Sequence, residues 1–100
     1  MKIINRTNSF RDKDIEERLN ILKDIYLSTD INILEARVYE GINYLGFELL
    51  IHDTSDKKYI GSSLEAWHHN PYEGNSIHNI SFNKLLPEYG ISKLSFEISL

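Results

Sequence analysis

The stretch that decides the fold is "INILEARVYEGINYLGFELLIHD", Ile31 to Asp53. Its first part alternates. Leu34, Ala36 and Val38 point one way, while Glu35, Arg37 and the ring of Tyr39 point the other, the pattern of a half-buried strand. Gly41, Ile42 and Asn43 supply a turn. "YLGFELLIHD" is nearly continuously apolar, which predicts a central strand covered on both faces. The reading therefore places Ile33 to Tyr39 beside Tyr44 to Ile51 in one sheet.

Working toward the N-terminus, "SFRDKDIEERLNILKDIYLS" reads as an amphipathic helix. Ile15, Leu19, Leu22 and Tyr26 fall at helical spacing with Ile25 beside them, so one face packs on a core. Asp14 with Glu17 has capping-box spacing, and acids crowd the first turn, where the helix dipole favours them. The residues before it read as a short polar lead.

Working toward the C-terminus, "DTSDKK" is a turn and "KYIG" a short strand. Ser62 with Glu65 has capping-box spacing and starts a helix at Ser63. Pro71 and Gly74 end it. Ile77, Ser81, Phe82 and Leu85 predict a second helix from Ile77 to Leu86, with Pro87 in its last turn and Gly90 in the left-handed position beyond it. "SKLSFEISL" is a final strand, with Leu94, Phe96, Ile98 and Leu100 facing in and Ser95, Glu97 and Ser99 facing out. The expected architecture is α+β, a small, largely antiparallel sheet with helices.

The chain has 100 residues, 41% hydrophobic and 26% charged, which fits one ordered domain spanning 1–100. It has no cysteine, which excludes disulfides, thiolate zinc sites and a thiol nucleophile. No apolar run spans a bilayer, and "MKIINRTNSF" lacks the apolar core of a signal peptide, so a soluble cytoplasmic protein with no membrane partner is expected. The net charge of −4 argues against strong sequence-independent DNA binding, which rests on Lys and Arg neutralising phosphates.

From Gly46 to about Ile98, roughly half the chain, the sequence resembles a GIY-YIG nuclease domain. "GFELLIHDTSDKKYIGSS" spaces Gly46 and Tyr59 as that family spaces the Gly of its first motif and the Tyr of its second. "YIGSS" resembles the second motif itself. "EAWHHN" stands where the family has a helix bearing Arg, often followed by Trp. "HNISFNKLLPEYGISKLSFEIS" resembles the second helix, a Tyr-Gly stop and the last strand. The resemblance implies a strand-strand-helix-helix-strand core over 46–98, to which residues 1–43 add an N-terminal helix and strand. It also implies Mg²⁺-dependent DNA cleavage by two tyrosines, an Arg and a metal-binding Glu.

Residue by residue, that implied site is altered. Tyr59 is present, but the first-motif Tyr is replaced by Glu48, and a carboxylate there repels phosphate unless a metal intervenes. The family's Arg is replaced by Ala66, and no Arg follows Arg37. The helix that carries the metal Glu in the family has no counterpart before Leu100. His68 and His69 stand near the family's His, and His78 near another. The vestigial catalytic candidates are thus Tyr59, Glu48 and His78.

Single residues carry rival readings. His52, His68, His69 and His78 with Glu48 or Asp53 offer metal ligands, but no His-x-x-x-His pair exists, and no metal site is assigned. Glu48 either projects from an exposed face or marks a binding cleft. Tyr59 fits a core aromatic or a contact residue, and Trp67 a core one. Tyr72, beside Pro71, suits an exposed contact. Ser62 and Ser63 read as helix-capping residues. The candidate binding residues are Tyr59, Trp67, His68, His69, Tyr72 and His78.

These readings point to a catalytically degenerate GIY-YIG-like pseudoenzyme. It would act as a protein-binding or inhibitory module without a cofactor, in a phage or mobile-element counter-defence setting. Its partner would be a nucleic-acid-binding or defence protein, and self-association is compatible with the sequence. The alternatives are a minimal metal-dependent endonuclease using Mg²⁺ and a non-catalytic nucleic-acid-binding domain.

Overall fold

The computed structural model describes residues 1–26, 31–53 and 77–100. These form an α+β fold of a five-stranded, mostly antiparallel sheet and one α-helix. The strands are β1 (Lys2–Arg6), β2 (Ile31–Gly41), β3 (Tyr44–Asp53), β4 (Ile77–Leu86) and β5 (Ile91–Ser99), and α1 is Asp12–Tyr26. Their order across the sheet is β1-β2-β3-β5-β4. Only β1 and β2 pair in parallel. A parallel pair needs a crossover, and α1 supplies it.

The β2–β3 hairpin forms as its alternation predicts, closed by Ile42 and Asn43 between the paired Gly41 and Tyr44. Asn43 takes a positive φ of 63°, which Asn tolerates better than most side chains. The inward set of β2 is not the expected one. Ile31, Ile33, Ala36 and Val38 are buried, whereas Leu34 is 41% exposed. A register shift between Ile33 and Glu35 accounts for this, because a bulge reverses the phase of a period-two pattern.

β3 is central, between β2 and β5. Leu45, Phe47, Leu49 and Ile51 are fully buried, but Glu48, Leu50 and His52, which alternate with them, are only half-buried. It is therefore one-sided rather than covered on both faces. On β5, Leu94, Phe96 and Ile98 face in as expected. Leu100 does not: it lies past the strand, 54% exposed, with its N–H bonded to the Asn43 carbonyl at 2.9 Å.

Two segments differ from the sequence reading. The polar lead contains β1, whose Ile3 and Asn5 lie beside Ala36 and Val38 on the inner face. The segment Ile77–Leu86, expected as a helix and required as one by the GIY-YIG resemblance, is strand β4. A register shift between His78 and Ser81, with Asn79 at φ 52°, puts Ile77 and Phe82 opposite inward-facing Ile98 and Leu94. The odd spacing hides the strand period and leaves Ile77, Ser81 and Leu85 at helical spacing. Pro87–Tyr89 is a 3₁₀ turn rather than the end of an α-helix. Gly90 follows it in the left-handed conformation expected for it, at φ 69°.

The helix start is shifted too. Asp14 and Ile15 donate backbone N–H groups to the Arg11 carbonyl, so Arg11 is the cap and Asp14 the third helical residue. The Asp14 carboxylate accepts from the Arg11 backbone N–H at 3.3 Å and from its guanidinium at 3.1 Å. Asp14 thus closes the box from the other side. Ile15, Leu19 and Leu22 are buried as expected, each worth about 1.5–3 kcal/mol on burial. The side chains of Ile25 and Tyr26 lie outside the described residues.

One buried cluster joins these α1 residues to β2, β3, β4 and β5. The N-terminal extension and residues 46–98 therefore share a core. Two polar ties secure the chain entering α1. Asn5 donates to the Phe10 carbonyl at 2.7 Å and to Asp12 at 3.0 Å. Glu40 accepts the backbone N–H groups of Asn8 and Ser9 at 2.6 and 2.7 Å. The Ser9 and Asn8 bonds hold the Glu40 carboxyl below its usual value. This tie is present above the ordinary carboxylate range and is lost as pH falls through the lowered value.

Candidate binding face

The residues that alternate with the core define the outer face of the sheet, opposite α1. Strand register arranges them in cross-strand rows. One row runs Arg6, Tyr39, Gly46, Glu97, His78; the next runs Ile4, Arg37, Glu48, Ser95, Ser81. A third contains Lys2, Glu35, Leu50, Lys93 and Asn83. Lys2, Arg6, Arg37 and Lys93 are thus interleaved with Glu35, Glu48 and Glu97, so no charge of one sign dominates.

Two tyrosines lie over glycines at the hairpin end of this face. A Cβ on Gly46 would run into the Tyr39 ring, and one on Gly41 into the Tyr44 ring. The missing side chains let each ring cover the neighbouring strand, a cross-strand aromatic–glycine pairing. The rings meet edge to face, with centroids 6.4 Å apart. The Tyr39 hydroxyl is pushed above its usual pKa, first by burial, then by Glu97, Tyr44 and Glu48. It therefore stays protonated at neutral pH and acts as a hydrogen-bond donor, not as a phenolate base.

Glu48 projects from the middle of β3 onto this face. Arg37 lies opposite it on β2, and Lys93 Nζ is 3.9 Å from its Oε2. Arg37 Nε also lies 3.8 Å from Glu35. These pairs are solvated and each contributes at most about 1 kcal/mol. Lys93 partly offsets the charge of Glu48, and Arg37 that of Glu35.

His78 shares the face with Glu48, opposite Glu97, but β5 lies between their strands. Two strand spacings separate them, about 10 Å. His52 is four residues along β3 from Glu48, about 13 Å away at strand rise. Among the described residues no group of three His, Asp or Glu converges on a point. Tyr59, Trp67, His68, His69 and Tyr72 lie outside the described residues, as do Ala66, the "KYIG" strand and the helix expected from Ser63.

Tyr39, Tyr44 and Glu97 were not singled out as site residues. A usable signal was present for Tyr39. Counting outward from Ile42 and Asn43 places Tyr39 opposite Gly46, and a large aromatic facing a glycine across a hairpin marks a ring laid on the sheet. Glu97 carried no such signal, because its position depends on pairing between distant strands. Among the described residues, no helix is long and apolar enough to cross a membrane. Searches against family models, curated proteins and solved structures find no match to this chain.

Proposed function

We propose that this chain is a catalytically degenerate GIY-YIG-like domain that binds another protein, acting as an inhibitory or adaptor module rather than cutting DNA. The carrying observation is Glu48. By the sequence resemblance it stands where the first-motif tyrosine would be, and it lies in a mixed-charge row, beside Arg37 and Lys93. A phosphate-cleaving centre needs positive groups converging on an anion. Burial first, and then Glu97, Tyr44 and Glu48, instead raise the pKa of the Tyr39 phenol. Interleaved charges around tyrosines suit a protein surface of matching pattern, where complementary charges set register and aromatic residues supply contact area.

The β-strand at Ile77–Leu86 departs from the family's second helix, which supports a binding role over cleavage. The test has two arms. Purified protein is incubated with supercoiled plasmid and Mg²⁺ or Mn²⁺, and no cleavage is expected. Pull-down from the native host is expected to recover a protein that Tyr39→Ala loses. Cleavage abolished by Tyr59→Phe would overturn the reading in favour of the nuclease.

A further inference from the structure

We propose that Tyr39, Tyr44 and Glu97 form a docking site for an arginine side chain of a partner protein. The inference rests on the protein-binding reading above and names the group that the partner offers. The site is built by the β2–β3 hairpin and the strand beside it. The Tyr39 ring leans from β2 across Gly46 of β3, where glycine leaves the space open. Beyond Gly46 in the same row stands Glu97 of β5. The Tyr44 ring leans the other way, across Gly41 of β2. The two rings stand at right angles with centroids 6.4 Å apart, and Tyr39 remains 37% exposed. A cation in the angle between them can lie within the roughly 6 Å of each centroid over which a ring attracts positive charge.

The charges on this face decide what sits there. Arg37 lies 3.8 Å from Glu35, and Lys93 lies 3.9 Å from Glu48. Glu97 joins no ion pair among the described residues. It is therefore the acid of the outer face that no described Lys or Arg offsets. Its closeness to the rings shows in the Tyr39 hydroxyl, whose pKa burial raises first and Glu97 next. Arg6 stands opposite Tyr39 on β1, on the side from which the ring leans away. An aromatic face beside an unpaired carboxylate is complementary to a cation, and arginine matches both parts. Its planar guanidinium stacks on a ring while its edge donates paired hydrogen bonds to a carboxylate. A lysine ammonium has no plane to stack.

The test follows the tyrosine ring signals of the full chain by NMR as the blocked peptide acetyl-Gly-Arg-Gly-amide is added. Saturable shifts of the Tyr39 and Tyr44 rings are expected at millimolar peptide. The same peptide with citrulline, which keeps the shape of arginine without its charge, should give none. The lysine peptide should bind about threefold more weakly. Glu97→Gln should weaken arginine binding about fivefold, and Tyr39→Leu should do the same, read at Tyr44. Glu88→Gln, at the opposite end of the sheet, should leave it unchanged. Unaltered signals from the stacked Phe47 and Phe96 show that each variant is folded. Shifts that never saturate, citrulline or lysine peptides that bind as tightly as arginine, or indifference to Glu97→Gln would overturn the proposal. The two readings fail separately. A partner recovered through Tyr39 without arginine-peptide binding overturns this inference alone, whereas plasmid cleavage overturns the protein-binding reading on which it rests.

Discussion

Tyr39 and Gly46 show what single residues could and could not reveal. Alternation placed Tyr39 on the outer face with Glu35 and Arg37, and the structure keeps it there. That its ring covers Gly46 follows only from the hairpin register. Gly46→Ala should lift the ring from the sheet. The expected cost is about 1–3 kcal/mol, as for other insertions into occupied space. Tyr39→Ala should then cost less in the Gly46→Ala background than in the wild type, because the two residues share one contact. Urea denaturation of the four-member cycle measures this. Additivity within error would mean that the ring and the glycine are not coupled. Leu34 illustrates the opposite case. Its side follows from a bulge, and the one-letter pattern of β2 contains nothing that announces one.

At the scale of elements, α1 and β5 were legible because each has an unbroken period, β2 because its alternation holds from Glu35 to Tyr39 beyond the bulge, and β3 because its apolar run marks a strand, though one covered on a single face. β1 was missed because five residues give too little pattern to separate a strand from a polar lead. β4 was misread because the irregularity around Asn79 imitates helical spacing. The two assignments make opposite predictions at that position. In a helix, Asn79→Gly is worse than Asn79→Ala by about 1 kcal/mol. In the observed strand, Asn79 is left-handed at φ 52°, where a Cβ is penalised by roughly 1–2 kcal/mol and glycine is not. Asn79→Gly should therefore be the more stable of the two variants. A thermal melt of both decides the matter, and a more stable alanine variant would restore the helix. The candidate site follows the same logic. Glu48 and His78 stand out in the sequence as polar positions, but their separation depends on β5 lying between their strands, which is a property of topology rather than of either segment.

For the whole molecule, the described residues of helix and sheet share one buried cluster. Leu19 on α1 and Phe47 on β3 both belong to it. Phe47 stacks on Phe96 across the sheet, with ring centroids 5.0 Å apart. Shared burial predicts that the N-terminal extension folds together with the strands rather than separately on a finished 46–98 domain. Leu19→Ala should cost about 2–5 kcal/mol and Phe47→Ala about 3–5 kcal/mol, against a total of roughly 5–15 kcal/mol for a domain of this size. The decisive comparison is between probes. If helix and sheet share one core, Leu19→Ala should lower the unfolding midpoint seen by helical circular dichroism and that seen by tyrosine fluorescence equally. The two transitions should stay superimposed. Loss of the helical signal ahead of the tyrosine signal would separate α1 from the sheet. The extension would then be a detachable element, and the single core inferred from burial would not be the unit that unfolds.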